Sequence, residues 1–226
     1  MKITADDLDS ESAYKLLVGI VVPRPIAWVT TLSASGRVNA APFSTFTYVS
    51  TKPPMVAISV GRKVGVLKDT ARNILERREF VVNVADETLL EAVHFSAVEY
   101  PEDVSEVQEL GLDTLSSVEI GTPRIAAAPI SMECRLHQAL EFGDTRSKFL
   151  VGEVKVFHIR DDLYADGKIE TGKLAPIARL SGPKYARLGE IITMPTIYAT
   201  KRVVAPARED VRDTTGTLDD AHEQSE

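Results

Sequence analysis

Hydrophobic and polar residues alternate with a short period through the first two thirds of the chain, and this pattern is typical of strands. The alternating runs are rich in β-branched and aromatic residues, which also favour extended structure. Strands are therefore predicted over residues 24–31, 38–46, 55–60 and 80–84, between 124 and 136, and over 148–159. Ser35-Gly36 marks a hairpin turn after the first strand, and Pro53-Pro54 breaks the chain before the third.

Helices are predicted at the periphery, over residues 70–78, 87–95 and 105–110. Asp69 or Thr70 can cap the first of them. The second places its leucines and Val93 on one side, as expected for an amphipathic helix packed on a core. Residues 96–103 are acidic and contain a proline, which predicts a loop that could form a mobile wall of an active site. The predicted fold class is mainly β with peripheral helices.

The length of 226 residues suits one β-rich domain with a single core. After about residue 201 the chain consists mainly of charged and small polar residues, with almost nothing to bury. Such a composition does not offset the entropy cost of ordering a chain. One domain is therefore predicted over residues 1–200, followed by a polar tail over 201–226 that is mobile or lies on a partner subunit.

The net charge of −7 argues against non-specific nucleic-acid binding, because a protein that binds the phosphate backbone needs a large positive surface. Any bound nucleotide is therefore expected to be small. Cys134 is the one cysteine, so an intramolecular disulfide is excluded and a reducing compartment is favoured. The first residues form no long apolar run, which predicts neither a secretory signal nor a membrane span and favours a cytoplasmic protein.

Metal and nucleophile motifs are absent from the sequence. His94, His137 and His158 fall on separate predicted elements, and no HExxH or CxxC spacing brings metal ligands together. No metal site is therefore predicted. Ser44 and Ser59 do not lie in a Gly-x-Ser-x-Gly elbow, so hydrogen bonding to a ligand is a better interpretation for them than nucleophilic catalysis.

Lys68, Thr70 and Asn73 lie at the start of the first predicted helix. Free backbone N–H groups and the positive end of the helix dipole make such a helix start an anion site. Lys68 adds a full charge, while the hydroxyl and the amide, three residues apart, share one face of the first turn and can donate to phosphate oxygens. The alternative interpretation is an ordinary capped surface helix with a solvated lysine.

Several short motifs occur in an order that resembles the flavin reductase-like, FMN-binding split-barrel family. They are Arg24-Pro-Ile-Ala-Trp-Val, Asn39-x-Ala-Pro-Phe-Ser-x-Phe, Pro53-Pro54, Lys68-Asp-Thr-x-x-Asn73 and Glu79-Phe-Val-Val-Asn83, followed by similar segments at 132–136, 150–154 and 177–185. The resemblance covers roughly residues 14 to 190. No motif is decisive alone, but the ordered set is specific.

The resemblance implies an FMN-binding split β-barrel, with NADH or NADPH as a transient electron donor. Flavin carries the difficult redox step, so the protein supplies position and electrostatics, and no catalytic side chain is expected. The implied activity is that of an NAD(P)H-dependent flavin reductase passing electrons to flavin or to a downstream acceptor, such as a monooxygenase component or another redox protein. The alternative is a non-enzymatic FMN-binding electron carrier with no nicotinamide site of its own. The chain has no Gly-x-Gly-x-x-Gly dinucleotide motif, so the use of NAD(P)H follows from the resemblance alone.

A homodimer is a further implication of the resemblance. The flavins would lie near the subunit interface, with residues 180–188 close to that region. The apolar strands of one open barrel would then be covered by its twin in a two-fold symmetric contact.

Cofactor-binding residues also follow from the resemblance. They are Trp28, Asn39, Ala41, Pro42, Phe43, Ser44, Thr45, Phe46, Ser59, Val60, Gly61, Lys68, Thr70, Asn73, His94 and Phe95. Backbone N–H groups over 41–46 are expected to bond to the edge of the isoalloxazine ring, where small residues let a planar ring approach the backbone. Trp28 has a second interpretation as a core residue, and His94 as a structural histidine.

Overall fold

Seven antiparallel strands form the main sheet of the protein, so the mainly β prediction is confirmed. The computed structural model describes residues 1–63, 65–101 and 104–195. In chain order the strands are β1 (Ala27–Leu32), β2 (Val38–Phe43), β3 (Phe46–Thr51), β4 (Pro54–Val60), β5 (Glu79–Val84), β6 (Ile130–Phe142) and β7 (Ser147–Ile159). Their order across the sheet is β2-β1-β5-β6-β7-β4-β3.

The two edge strands of this sheet, β2 and β3, follow each other directly in the chain. Ser44 and Thr45 join them as a bend, and the Ser59 N–H donates to the Thr45 carbonyl at 2.9 Å. The chain thus passes from one edge to the other within two residues, which curls the sheet toward a barrel. The prediction of a single strand over 38–46 is therefore wrong, because the chain bends at Ser44 and Thr45. Strand-forming residue types continue through the bend, so the sequence gives no sign of it.

Short helices surround the sheet, as predicted. They are α1 (Ser10–Ile20), α2 (Asp69–Arg77), α3 (Leu90–Phe95), α4 (Glu106–Glu109) and α5 (Thr171–Leu174), with 3-10 turns at Ala5–Asp7, Glu87–Leu89 and Asp161–Leu163. The helix predicted over 87–95 therefore divides into a 3-10 turn followed by α3. Two-residue strands also pair, namely Arg24–Pro25 with Ala178–Arg179, Ala178–Arg179 with Tyr185–Ala186, Thr114–Leu115 with Arg124–Ile125, Arg62–Lys63 with Val66–Leu67, and Tyr164–Ala165 with Lys168–Ile169.

The two larger hydrophobic cores among the described residues lie against the main sheet. Successive residues of a strand point to opposite faces, so Val29 packs in one core and Trp28 in the other. In the first core, β5 residues Phe80 and Val82 pack with two residues of α2. The second core includes Val93 of α3 and a residue of α4, so the helices cover apolar surface that the sheet leaves open.

Gly152 in β7 is a point of close approach between the strand and the first core. A Cβ atom at this position would lie 2.4 Å from the Phe80 Cζ and 3.0 Å from the Cys134 Cβ. Phe80 is fully buried, so its ring has little room to move away. Only glycine therefore fits at this position without a shift of the core.

Helix α1 was not predicted, and none of its residues is buried. Asp9 caps it by accepting from the Ser12 N–H at 2.7 Å. Tyr14, Leu17 and Ile20 each expose more than half of their surface. The helix therefore presents apolar side chains that the rest of the described residues leave exposed.

A compact unit spans Met1–Ile191. The predicted tail over residues 201–226 lies outside the described residues, so the domain division at residue 200 stays a prediction. Within the described ranges, no helix has the length and apolar character needed to cross a membrane.

Candidate functional site

Three adjoining cavities open along the end of β2, and Pro42 and Lys68 line all three of them. Their volumes are about 440, 720 and 830 Å³. We call them the first, second and third cavity, and together the cleft. The two shared residues place the end of β2 and the start of α2 at the centre of the cleft.

Most of the predicted cofactor-binding residues lie together on the walls of the cleft. They are Asn39, Ala41, Pro42, Phe43, Ser44, Thr45, Ser59, Gly61, Lys68 and Thr70. Strand β2 supplies many of them because it is an edge strand, paired with β1 on one side only. The small side chains of Ala41 and Pro42 keep this wall shallow, so a flat group can approach the backbone.

Lys68 is an exposed cation at the N-cap position of α2. Its ammonium has no hydrogen-bond or ion-pair partner among the described residues. The prediction that Asp69 or Thr70 caps the helix is wrong. The helix begins at Asp69, whose carboxylate pairs with the Arg72 guanidinium at 2.7 Å, and no side chain caps the first turn. Open N–H groups beside an unpaired ammonium favour an anionic ligand.

A hydrogen-bonded group of side chains joins α2 to β2 on the wall of the first cavity. The Asn39 amide satisfies its neighbours in one orientation. In it, Asn39 Nδ2 donates to Glu106 Oε1 at 3.3 Å, and Asn39 Oδ1 accepts from Thr70 Oγ1 and from Ala40 N, both at 3.2 Å.

Glu106 is a buried carboxyl on this wall that the sequence analysis missed. Burial raises its pKa above the usual range. Hydrogen bonds from its own N–H and from Ala40 N, at 3.1 Å from Oε2, oppose that shift, while repulsion from Asp69 adds to it. A glutamate in the first turn of a helix is usually a solvated acid, so the sequence carried no signal of this burial.

The prediction that Asn73 faces the anion together with Thr70 is corrected. Asn73 is buried, and its Nδ2 donates to Thr31 Oγ1 at 3.0 Å. It lines a separate cavity of about 410 Å³ that neither Pro42 nor Lys68 reaches. The spacing of three residues does place both side chains near each other on α2, but Asn73 is directed at β1.

Trp28, Phe46 and Val60 do not line the cleft, so the structure does not bring them together with the other predicted cofactor-binding residues. Trp28 is fully buried, and its Nε1 donates to Ser96 Oγ at 2.9 Å. Val60 is fully buried in the first core, and Phe46 packs against that core. The core interpretation of Trp28 is therefore the one that the structure supports.

His94 and Phe95 also lie outside the walls of the cleft. His94 Nδ1 is 3.1 Å from the Tyr185 hydroxyl, so the histidine holds the C-terminal segment against α3. Phe95 is half exposed and contacts the His94 ring edge to face. Their assignment as cofactor contacts stays a prediction.

Arg24 is a buried arginine of the second cavity, and its position was not predicted. Its guanidinium donates to Ser44 Oγ at 3.2 Å, to the Val18 carbonyl at 2.6 Å and to the Leu180 carbonyl at 2.9 Å. It thus connects α1, the bend after β2 and the C-terminal segment. Leu180 and its neighbours also line the second cavity, so part of the predicted segment 180–188 lies at the candidate site.

Arg62 organises the wall of the third cavity and was also missed. It donates to the carbonyls of Arg146 at 3.0 Å and Gly65 at 3.1 Å, and to Glu141 Oε2 at 3.2 Å. Glu141 also pairs with Arg146 and Lys148, at 2.6 and 2.8 Å. Hydrogen bonds from these two cations lower the pKa of Glu141 to about 2. Cations outnumber this acid, which favours anionic ligands nearby.

Metal and thiolate chemistry find no support in the described parts of the chain. No group of three His, Cys, Asp or Glu side chains could hold a metal ion there. Cys134 is fully buried, and burial raises the pKa of its thiol. The walls of the cleft carry cations, carboxylates, amides and hydroxyls, which are groups that bind and position a ligand.

Comparison with known proteins agrees with this geometry. The profile of the flavin reductase like domain matches residues 19–173. Nitrilotriacetate monooxygenase component B from Bacillus cereus is 38% identical, with a TM-score of 0.83 over 86% of this chain and 98% of that one. The 2-nitrobenzoate 2-nitroreductase NbaA from Pseudomonas fluorescens is 33% identical, with a TM-score of 0.81 over 90% of this chain and 100% of that one.

A more distant structure, with a split barrel domain and from Shewanella frigidimarina, shares 16% identity and has a TM-score of 0.77. It covers 87% of this chain and 100% of its own, and at this identity the likeness shows the fold alone. The predicted split β-barrel is therefore confirmed. The profile match spans more than half of the chain, and the Bacillus cereus and Pseudomonas fluorescens proteins both exceed 30% identity. The chain therefore belongs to the flavin reductase-like family.

Proposed function

We propose that this protein binds FMN in the cleft and acts as an NAD(P)H-dependent flavin reductase. Lys68 carries the proposal, as an exposed ammonium without a partner among the described residues, at the open start of α2. Beside it, Ala41 and Pro42 form a shallow wall. A cation next to a flat wall suits a ligand with a phosphate at one end and a planar ring at the other.

The residues of the cleft fit such a ligand. Lys68, Thr70 and the N–H groups at the start of α2 would hold the phosphate. The end of β2 and the bend at Ser44 would lie along the ring, with Ser59 at the third cavity as a further donor. Bound FMN supplies hydride acceptance and electron release, while the side chains hold it in position and surround it with fixed dipoles.

The similar proteins support a redox role with a separate acceptor. One is a monooxygenase component, and another is a nitroreductase. Reduced flavin in this protein would accordingly pass electrons to a monooxygenase component or to a small oxidised substrate. The second candidate is an FMN-binding electron carrier without a nicotinamide site, since no sequence motif of the chain identifies a site for NADH or NADPH.

A homodimer is part of the proposal, with α1 as one contact surface. Tyr14 and Leu17 of this helix are exposed, and Tyr14 also lines the second and third cavities. A second copy packed on α1 would cover this apolar surface close to the bound flavin. Sedimentation equilibrium at low micromolar concentration is expected to give twice the mass of the chain. A stable monomer loaded with FMN would rule out this assembly.

Lys68→Ala is expected to weaken FMN binding about ten- to a hundred-fold and to change riboflavin binding little. One charge-assisted hydrogen bond contributes roughly 1.5–3 kcal/mol, which corresponds to that range. Riboflavin lacks the phosphate, so it does not use the ammonium. Fluorescence titration of both flavins measures the two dissociation constants.

Lys52→Ala is the matched control for this experiment. Lys52 is also an exposed lysine, but it does not line the cleft. Its replacement should leave the affinity for both flavins unchanged. If Lys68→Ala lowered the affinity for FMN and for riboflavin equally, this result would contradict the proposal that Lys68 binds the FMN phosphate.

A further inference from the structure

A cavity of about 450 Å³, which we call the Arg124 cavity, lies at the opposite end of β7 from the cleft. Ser147, at the start of β7, lines the third cavity, whereas His158 and Ile159, at its end, line the Arg124 cavity. The other wall is the segment 124–129, which leads into β6. The two sets of lining residues share no member, so this cavity is separate from the proposed flavin site.

The ionisable side chains on the walls of the Arg124 cavity are all basic. They are Arg124, His158 and Arg160, and no described Asp or Glu lines the cavity. Two of the three have acidic partners outside the walls. Arg160 Nε donates to Asp162 Oδ1 at 2.6 Å, and His158 Nε2 lies 2.6 Å from Glu133 Oε1. The charge that remains inside the cavity is therefore that of Arg124.

No described group balances the charge of Arg124. Its Nε is buried and makes no hydrogen bond, and its guanidinium forms no ion pair with a described residue. A buried donor without an acceptor costs free energy, and a charged donor costs more than a neutral one. Arg124 is only half-buried, so an oxyanion can reach the open part of its guanidinium and supply the missing negative charge.

The backbone on both sides of Arg124 is fixed by buried polar groups. The Pro123 carbonyl accepts from Thr30 Oγ1 at 2.7 Å, and the Ile125 N–H donates to Asn83 Oδ1 at 3.0 Å. Thr30, Asn83 and Ile125 are fully buried. The side chain therefore starts from a rigid wall, which lowers the entropy cost of placing it on a ligand.

The rest of the cavity is apolar. Its walls include residues 126–129, Ile159 and Phe157, whose ring is half exposed. A free inorganic anion would leave this surface unused, whereas a carboxylate attached to a small apolar group would contact both the guanidinium and the ring. We propose that the Arg124 cavity binds a small organic carboxylate, with the charged end on Arg124 and the apolar part against Phe157. This inference does not depend on the proposed function.

The test uses benzoate as the probe, benzamide as its neutral counterpart of similar shape, and inorganic phosphate as an anion without an apolar part. Isothermal titration calorimetry of the full chain is expected to show saturable benzoate binding below about 10 mM, with benzamide and phosphate at least about tenfold weaker. Saturating FMN should leave the benzoate dissociation constant unchanged, because the cleft and the Arg124 cavity share no wall.

Replacement of Arg124 identifies the site. Arg124→Gln should weaken benzoate about ten- to a hundred-fold and leave benzamide unchanged, and Arg124→Lys, which keeps the charge without the planar fork, should lie between. The melting temperature of Arg124→Gln without ligand should match the wild type, because no described group loses a partner. Arg77→Gln is the control, since Arg77 is an exposed arginine that donates to the Ser33 carbonyl at 2.7 Å and does not line the cavity.

Three results would overturn the inference. Equal benzoate affinity in the wild type and Arg124→Gln would show that Arg124 does not bind the carboxylate. Competition between benzoate and FMN would place benzoate in the cleft. Phosphate binding as tight as benzoate would overturn the assignment to an organic anion. None of these results bears on whether FMN binds at Lys68.

Discussion

NADH or NADPH is expected to bleach the visible absorbance of bound FMN within seconds under anaerobic conditions, at a rate that saturates with nicotinamide concentration. Hydride transfer requires the nicotinamide to lie against one face of the isoalloxazine ring at van der Waals distance. The cleft offers room for both rings, because its three cavities adjoin at Pro42 and Lys68. Residues 97–101, which contain no helix or strand, form one wall of the first cavity.

Dithionite provides the control, since it reduces flavin without a binding site for nicotinamide. Rapid bleaching by dithionite, combined with no bleaching by either nicotinamide within minutes, would favour the electron carrier over the reductase. A carrier needs only an exposed flavin edge. The comparison therefore separates the two functions, while FMN binding itself is tested by the Lys68→Ala titration.

Glu133→Ala is expected to lower the free energy of unfolding by about 3–5 kcal/mol, the range for breaking a buried pair. Glu133 is fully buried in β6. Its carboxylate accepts from His158 Nε2 at 2.6 Å and from the N–H groups of Val118 and Glu119, both at 2.8 Å. The alanine variant would leave all three donors without this acceptor. Urea denaturation followed by circular dichroism measures the loss.

Glu153→Ala is the matched control, because Glu153 pairs with Lys155 where both side chains are about a third exposed. Such a pair contributes less than about 1 kcal/mol. A loss in Glu133→Ala no larger than this would show that the buried carboxylate does not hold the 118–119 segment to β6.

The Glu133 contribution also depends on pH. Burial alone would raise the pKa of Glu133, but hydrogen bonds from His158, Val118 and Glu119 outweigh it and hold the pKa below 4.5. A lowered pKa means that the stabilisation is present above the unfolded pKa and is lost as pH falls through the folded one. The stability difference between the wild type and Glu133→Gln should therefore shrink below about pH 4.

Strands that contain a continuous run of apolar residues could be predicted from the sequence. The strand β5 was predicted over 80–84 and observed over Glu79–Val84, because Phe80, Val81 and Val82 form a continuous buried apolar run. β3 was merged with β2, since the separating bend at Ser44 and Thr45 has no glycine or proline within it. α1 was missed because it buries no residue, so its sequence has no core-facing stripe that stands out.

The residues of the candidate site also differ in whether the sequence could predict them. Lys68 and the end of β2 could be predicted because a helix start and a run of small residues are local features. Arg24 and Glu106 could not, since their roles depend on partners far away in the chain, such as the Leu180 carbonyl and the Ala40 N–H. One sequence records the residue types but not these distant contacts.

The outer edge of β2 has a consequence for how two copies of the chain can meet. Val38, Ala40 and Pro42 alternate along this strand, so their backbone groups point away from β1. Ser105 Oγ donates to the Val38 carbonyl at 2.6 Å, Glu106 accepts from Ala40 N, and proline has no N–H to offer. A strand from another molecule therefore cannot extend the sheet by regular backbone hydrogen bonds along this edge of β2. The proposed homodimer would therefore not form by continuing the sheet across β2.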